Sequence, residues 1–351
     1  MIQKKSKNSP AKTDLKGLSA IETAEWVKEH SMDLYRGRQI REWLFKKDMA
    51  TFDEMTNLSQ PVRMLLKNKA NLTHLTIVKV ETSEDTTQKF LFRLKDGLFI
   101  ESVLIPEKDH FTICVSSQAG CPMACRFCLT AKQGFKRNLT PAEIVDQIIK
   151  VRQSMDNPAK LTNIVFMGMG EPLLNYHNIV RAIENIIGND GMNFSRRKVT
   201  VSTCGLVPFI LKLGQDTHVK LAVSLNAADD KTRNFLMPVN KKYPLKSLIS
   251  SCRNFPLPNR EMITFEYILI KGINDRKKDA MNIVRLLSGL KAKINLIALN
   301  PGPGLDMAPS SQKEILAFRE ILIKNHYTAI IRKSKGQDIS AACGQLSGKE
   351  E

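Results

Sequence analysis

Two periodicities of apolar residues divide the chain. Over 18–71 the apolar positions recur three and four apart, Ser19 and Glu22 form a capping box, and a second, basic segment over 36–47 is built around Ile40, Trp43 and Leu44, so short amphipathic helices are predicted. Segments 75–80, 89–94 and 98–105 read instead as short strands, with Asp96-Gly97 as the hairpin turn between the last two. From Phe111 onward, β-branched and apolar runs over 111–116, 163–167, 198–202, 220–224, 264–270 and 293–299 alternate with helical stretches. One such stretch starts at Thr140, with Pro141 in its first turn, Glu143 three residues after the cap, and Ile144, Ile148 and Val151 on one face. Residues 327–332 add an edge strand.

About six β/α units without an internal repeat predict an α/β fold, a parallel sheet curled into a barrel or part of one, preceded by a small helical accessory domain. The expected division is a basic flexible tail over 1–16, the helical unit over 17–74, linker strands over 75–110, the α/β core over 111–346 and a polar tail over 347–351. Barrels of this kind build their sites at the carboxyl ends of the strands. Here those ends read as the cysteine-rich loop after 116, Gly168-Met169-Gly170-Glu171-Pro172, Ser202-Thr203-Cys204-Gly205, Ser224-Leu225-Asn226 and Asn300-Pro301-Gly302-Pro303-Gly304. Small, polar or bent backbone therefore faces one common mouth.

Charge adds a partner. The chain of 351 residues has 53 Lys and Arg against 35 Asp and Glu, a formal charge of +18, and a polyanion such as RNA is the natural ligand of that field. No apolar run is long enough to span a membrane, and the first residues lack the apolar core of a signal peptide, so a cytoplasmic location is expected. Seven cysteines in a reducing compartment point to metal or redox work and away from a disulfide framework.

Three of those cysteines, Cys121, Cys125 and Cys128, lie in Gly-Cys-Pro-Met-Ala-Cys-Arg-Phe-Cys with no fourth Cys or His close behind. A structural zinc wants four protein ligands, so an incomplete set suggests an open coordination position. The C-x-x-x-C-x-x-C spacing, with Phe127 before the last cysteine, resembles the signature of radical S-adenosylmethionine enzymes. That resemblance implies a 4Fe-4S cluster on the three thiolates, with S-adenosyl-L-methionine chelating the fourth iron and split to a 5'-deoxyadenosyl radical. Gly170 and Glu171 match the superfamily's second element, which receives the methionine amine. Ser202, Ser224, Leu225 and Asn226 are placed to meet the methionine carboxylate and ribose, and Asn300 the ribose or adenine. Each of these has an ordinary turn or cap role as its alternative.

Two further cysteines stand apart. Cys343 lies in the small-residue stretch Ser340-Ala341-Ala342-Cys343-Gly344, and Cys114 lies on the first barrel strand seven residues before the triplet. Buried thiols of this kind otherwise pack as small hydrophobes. Cys-Val-Ser-Ser-Gln-Ala-Gly-Cys, Lys-Gln-Gly-Phe-Lys-Arg-Asn-Leu-Thr, Phe-Met-Gly-Met-Gly-Glu-Pro-Leu-Leu-Asn and Ala-Ala-Cys-Gly-Gln-Leu together resemble the RlmN family of RNA adenine methyltransferases, from about Glu101 to Leu346.

The resemblance implies that Cys343 is first methylated by one S-adenosylmethionine. A radical from a second would take hydrogen from the methylcysteine, the carbon would add to C2 of adenine, and Cys114 would release the product through a transient disulfide. Glu101, in Phe99-Ile100-Glu101-Ser102-Val103, occupies the family's proposed proton-acceptor position. By its own surroundings it is an acidic residue in an apolar strand that needs a partner or a raised pKa, and a salt bridge is the open alternative.

The implied substrates are 23S rRNA, at an adenosine of the peptidyl-transferase centre, and tRNA, at the adenosine beside the anticodon. A one-electron reductant such as flavodoxin or ferredoxin and a monomeric state complete the expectation. Lys132, Lys136, Arg137, Arg196 to Lys198, Lys241, Lys242 and Arg276 to Lys278 form the candidate phosphate-binding ensemble. The competing readings are the C8-methylating branch of the family and a zinc-stabilised RNA-binding module without catalysis.

Overall fold

The structure, a computed structural model, describes residues 12–47, 49–258 and 260–348. An amino-terminal unit runs β1 (Thr13–Asp14), α1 (Ala20–Glu29), α2 (Leu34–Phe45), α3 (Gln60–Lys69) and β2 (Ala70–Asn71). Ser19 caps α1 with the reciprocal Glu22 bond that the sequence predicts. Trp26, Val27, Ile40, Leu44 and Phe45 fill the space between α1 and α2.

The basic tail expected over 1–16 lies outside the described residues up to 11, but its last residues are packed. Thr13 and Asp14 pair in parallel with Ala70 and Asn71, and Leu15 and Lys16 are fully buried. Lys16 is charged but not surface: its Nζ donates to Asp146 Oδ1 at 2.6 Å and to the Thr73 carbonyl at 2.8 Å. Arg41 fixes the unit at a second point, donating to Asp190 at 2.8 Å and to the Asn185 amide oxygen and Leu18 carbonyl at 3.0 Å each.

The strands that follow are β3 (Thr76–Thr82), β4 (Gln88–Arg93), β5 (Phe99–Pro106), β6 (Phe111–Cys114), β7 (Gln118–Gly120), β8 (Phe135–Asn138), β9 (Leu161–Phe166), β10 (Val199–Thr203), β11 (Lys220–Ser224), β12 (Ile263–Leu269), β13 (Ala292–Ala298) and β14 (Thr328–Arg332). Ten of them form one sheet in the order β14-β13-β12-β11-β10-β9-β6-β5-β4-β3. From β6 to β14 the neighbours are parallel, and from β3 to β6 they are antiparallel. The strands over 75–110 thus extend the barrel sheet. β14 and β3 are its two edges and do not pair, so the barrel is open.

The inner face is polar, and alternation explains which residues reach it. On β13, Ile294 and Leu296 are fully buried while Lys293, Asn295 and Ile297 line an internal cavity. On β12, Phe265 and Tyr267 are fully buried, with Tyr267 against Phe318 of the helix Gln312–Lys324, while Thr264 and Glu266 turn inward. Thr112, Asn163 and Thr200 continue this lining on β6, β9 and β10. A closed barrel would fill such positions with aliphatic side chains. This one encloses about 660 Å³.

Candidate functional site

The cysteine loop is clamped by a hairpin that the sequence did not announce. β7 and β8 pair antiparallel on either side of it, and Cys121 N–H donates to the Gly134 carbonyl at 3.2 Å. Gly120, at φ +74°, passes so close to that carbonyl that a Cβ would stand 1.9 Å from it. Gly120→Ala is therefore expected to spread the hairpin and to cut iron bound per chain after anaerobic reconstitution to less than about half of wild type, with iron and sulfide analysis as the measurement. Inside the loop Ala124 takes a left-handed turn at φ +53°, and Cys128 N–H closes back on the Cys125 carbonyl at 3.2 Å.

The three thiols lie within electrostatic range of one another. Burial pushes Cys121 up to about 12 and raises Cys125 and Cys128 as well, so bare thiolates are disfavoured until a cation sits among them. Among the described residues no three Cys, His, Asp or Glu converge closely enough to hold one metal ion. A tetrahedral zinc with Zn–S near 2.3 Å would draw its sulfurs to about 3.8 Å from one another. Three thiols gathered in one loop, with no fourth Cys or His in it, suit a 4Fe-4S cluster that keeps one iron for an outside ligand.

Glu171 is buried and both its oxygens accept backbone bonds, Oε2 from Cys204 N–H at 2.7 Å and Oε1 from Leu173 N–H at 3.0 Å. It therefore ties the end of β9 to the end of β10. Its own N–H donates to Gln118 at 2.9 Å, and Gly170, at φ +100°, leaves no room for a Cβ, which would lie 2.6 Å from Gln118 Cβ. The Gly-Met-Gly-Glu loop is thus locked against the β7 arm of the cysteine hairpin. Ser202 and Ser224 are half-buried near the ends of β10 and β11. Leu225 and Asn226 are buried, and the Asn226 amide is committed to the chain, its Oδ1 accepting from Ile268 N–H at 2.9 Å.

Arg233 escaped the sequence reading. Its guanidinium is fully buried and donates to the carbonyls of Cys204 at 2.7 Å, Leu225 at 3.0 Å and Ser224 at 3.1 Å, and to Asn240 at 2.8 Å. It gathers the ends of β10 and β11, and its charge acts on the Cys125 thiol. Nothing local marks it, because an arginine on a short helix after Ala-Ala-Asp-Asp reads as a surface residue.

The carboxyl-terminal segment crosses the same end of the barrel. The Cys343 carbonyl accepts from Asn300 Nδ2 at 3.0 Å, the Gly344 carbonyl from Leu129 N–H at 2.7 Å, and the Leu346 carbonyl from Thr130 Oγ1 at 2.8 Å. Gln345 donates to the Pro301 carbonyl at 2.7 Å. Cys343 is thereby strapped directly to the residues that follow Cys128. Asn300, expected at a nucleoside, holds this strap with both ends of its amide, since its Oδ1 accepts from Gln337 at 2.8 Å.

Glu101 has the partners its position demanded. Its Oε2 accepts from the N–H groups of Ser347 at 2.7 Å and Gly348 at 2.9 Å, and Lys89 Nζ stands 3.5 Å from Oε1. It anchors the far end of the strap.

Cys114, Cys128 and Cys343 all line the 660 Å³ cavity. Three segments separated by up to 229 residues place their cysteines on one open cavity. Cys343 has accessible surface, and it is the cavity that its thiol meets; protein on every other side pushes its pKa up to about 11, with Glu266 adding to the rise. Burial and the nearby Cys343 raise Cys114 further. Cys204 and Cys252 are buried and pack in the core.

The cavity runs from Cys128 and Gly168 at the carboxyl edge of the sheet to Lys198, Lys220 and Lys293 at the amino edge of β10, β11 and β13. Arg197 joins that rim, whereas Lys333 and Lys335 line the cavity just beyond the carboxyl end of β14. Of the basic groups expected to meet phosphate, the Arg196 to Lys198 set contributes to it, whereas Arg137 is consumed by Asp96 at 2.5 Å and Glu143 at 2.8 Å, and Arg276 by Asp279 at 3.1 Å.

Comparison with known proteins agrees with this geometry. Residues 115–284 match the radical SAM superfamily, and residues 13–72 match the ribosomal RNA large subunit methyltransferase N-terminal domain. The chain is 50% identical over 335 residues to the dual-specificity RNA methyltransferase RlmN of Desulfosudis oleivorans, covering 95% of this chain and 90% of that one. It is 49% identical to that of Syntrophus aciditrophicus, covering 96% and 97%. A crystal structure of a radical SAM methyltransferase from Sphaerobacter thermophilus superposes with a TM-score of 0.91 at 42% identity, covering 96% of this chain and all of that one. No described helix is long and apolar enough to cross a membrane. With an amino-terminal unit, a three-cysteine loop and two lone cysteines on one cavity, all carried by a sequence half identical to curated relatives, the chain belongs to the RlmN family of radical S-adenosylmethionine RNA methyltransferases.

Proposed function

We propose that this protein methylates C2 of adenine in 23S rRNA and in tRNA, with Cys343 as the methyl carrier and Cys114 as the thiol that frees the product. The observation that carries this reading is the shared cavity: Cys114 and Cys343 open into it together with Cys128 of the triplet. Cys121, Cys125 and Cys128 would hold the 4Fe-4S cluster, and the ends of β9, β10 and β11, with Gly170, Glu171, Ser202, Ser224, Leu225, Asn226 and Asn300, would frame S-adenosylmethionine. Bound there, the cofactors supply a methyl group and the means of activating it by hydrogen removal.

The residues of the chain account for the rest. The Cys343 sulfur takes the methyl group and loses its thiol proton, and the strap through Asn300, Leu129, Thr130 and Glu101 fixes it in the cavity. Once the methyl carbon is bonded to adenine C2, and C2 has given up its proton to a base and the odd electron to the one-electron carrier, the Cys114 thiolate attacks the Cys343 sulfur. The S–S bond forms as the S–C bond breaks, and the electron pair left on carbon takes up a proton. The two sulfurs leave as a disulfide that a thiol reductant restores. A one-electron donor such as flavodoxin or ferredoxin would serve the cluster. The cationic rim faces RNA phosphates, and the depth of the cavity requires an unstacked adenine.

The test is anaerobic incubation of the reconstituted, brown protein with rRNA and tRNA, followed by nuclease digestion and mass analysis. The expected product is 2-methyladenosine in both RNAs. Finding 8-methyladenosine would assign the protein to the other branch, and a colourless protein carrying zinc would remove the catalytic reading.

A further inference from the structure

The cavity contains a carboxyl group for which the reaction above has no use. Glu266 lies on β12 between Ser224 of β11 and Asn295 of β13 in register, and its side chain turns to the inner face, beside the space shared by Cys114 and Cys343. Asn295 Nδ2 donates to Glu266 Oε1 at 2.9 Å. Among the described residues no other group hydrogen-bonds this carboxyl, and no Lys, Arg or His forms an ion pair with it. Lys293 and Arg332 act on it only at longer range, and Arg332 leans to Glu107 at 3.6 Å. This half-buried carboxyl is fixed through one oxygen and has no counter-ion, so its second oxygen is left free for a ligand in the cavity. Burial also pushes it above the usual carboxylate range, which brings the protonated form nearer to neutral pH.

Adenine supplies the missing partner. Its C2 must face the two sulfurs, N1 is the next ring atom, and the carbon after N1 carries the exocyclic amine. The edge presented to this wall is therefore an acceptor followed by a donor. A carboxyl held through Oε1 offers Oε2 to the amine, and when protonated it also has an O–H for N1. With C2 held at the sulfurs, guanine would turn a carbonyl oxygen toward the same carboxyl and place its own amino group against the thiols. We propose that Glu266, oriented by Asn295, selects adenine by accepting a hydrogen bond from the exocyclic amine of the target base. The proposal rests on the RNA-methyltransferase reading above.

The experiment uses reconstituted full-length protein and RNA oligonucleotides with either adenosine or purine riboside, which lacks the amine, at the target position. Both kcat/KM and the Kd of each RNA are measured for wild type, Glu266→Ala and Glu266→Gln. Wild type is expected to prefer adenosine by about 10- to 100-fold. Glu266→Ala should lose about that factor on adenosine and change less than about threefold on purine riboside, and Glu266→Gln, which keeps an acceptor oxygen, should regain most of the loss. Equal use of both bases by wild type overturns the proposal without recourse to any variant. So does a Glu266→Ala loss of the same size on both bases, since that reports structure alone. If wild type methylates neither base and Cys343 gains no methyl mass with S-adenosylmethionine, the parent reading falls and takes this one with it.

Discussion

Cys343→Ala is expected to abolish RNA methylation, lowering it by at least about 10³-fold, because the variant has no atom on which the methyl group can be carried. The fold should survive. Cys343 lies in a strap whose bonds to Asn300, Leu129 and Thr130 all use backbone carbonyls, and an alanine keeps each of them. Iron content and thermal unfolding should therefore match wild type while tritium transfer from labelled S-adenosylmethionine to protein and RNA disappears. Cys114→Ala should fail later and differently. Its carrier is intact but the attacking sulfur is gone, so RNA is expected to remain bonded to the protein and to run as a slow band on a denaturing gel that ribonuclease collapses. The double variant should show no such band, which orders the two cysteines in the reaction. Residual methyladenine from Cys343→Ala above a few per cent of wild type would exclude the carrier role.

Asp146→Ala is expected to cost about 3–5 kcal/mol of stability. Asp146 sits on the helix Pro141–Gln153 of the barrel, and both it and Lys16 are within 1% of complete burial. One carboxylate oxygen takes the Lys16 ammonium at 2.6 Å and the other takes Leu75 N–H at 2.7 Å. Removing it strands a buried ammonium and an amide at the junction of the amino-terminal unit with the sheet. Replacing Lys16 and Asp146 together by Met and Leu should recover most of the loss, since an apolar pair leaves no charge unpaired. Denaturant unfolding of the cluster-free proteins checks both, and a single-variant loss below about 1 kcal/mol would show that the ammonium finds water instead.

Much of the fold was legible because each element carries its own local signal. The Ser19–Glu22 and Thr140–Glu143 boxes sit where they cap, and the strands from 111 to 299 fall within two residues of their predicted ends because β-branched runs between polar turns admit little else. Residues 13–16 read as tail because a lysine at position 16 reads as solvated, whereas in the fold the Asp146 carboxylate and the Thr73 carbonyl allow its burial. The hairpin around the triplet was invisible because β7 and β8 are three and four residues long and owe their pairing to the close approach of Gly120 and Gly134.

The site divides in the same way. Cysteine spacing is a property of the chain, so the triplet stands out in residue order, while the two lone thiols gain their expected roles only from the family resemblance. Which groups share a cavity is not such a property, because it depends on the parity of paired strands and on a carboxyl-terminal strap far along the chain from Cys114. Asn300 and Glu101 were named for nucleoside and proton, yet in the fold their polar atoms hold the segment that carries Cys343. Arg233, fully buried, and Glu266, half-buried on the cavity wall, carry no local mark, because a charged residue reads as surface until its neighbours are known. Residue order supplies the thiols themselves, three in one loop for the proposed cluster and two standing alone for the proposed carrier and releasing roles. Their meeting belongs to the tertiary structure: the inward face of a curled sheet sets Cys114 and Glu266, and the strap across its end sets Cys343, around one volume, with side-chain direction on the strands following from register and pleat, which no local stretch of residues encodes.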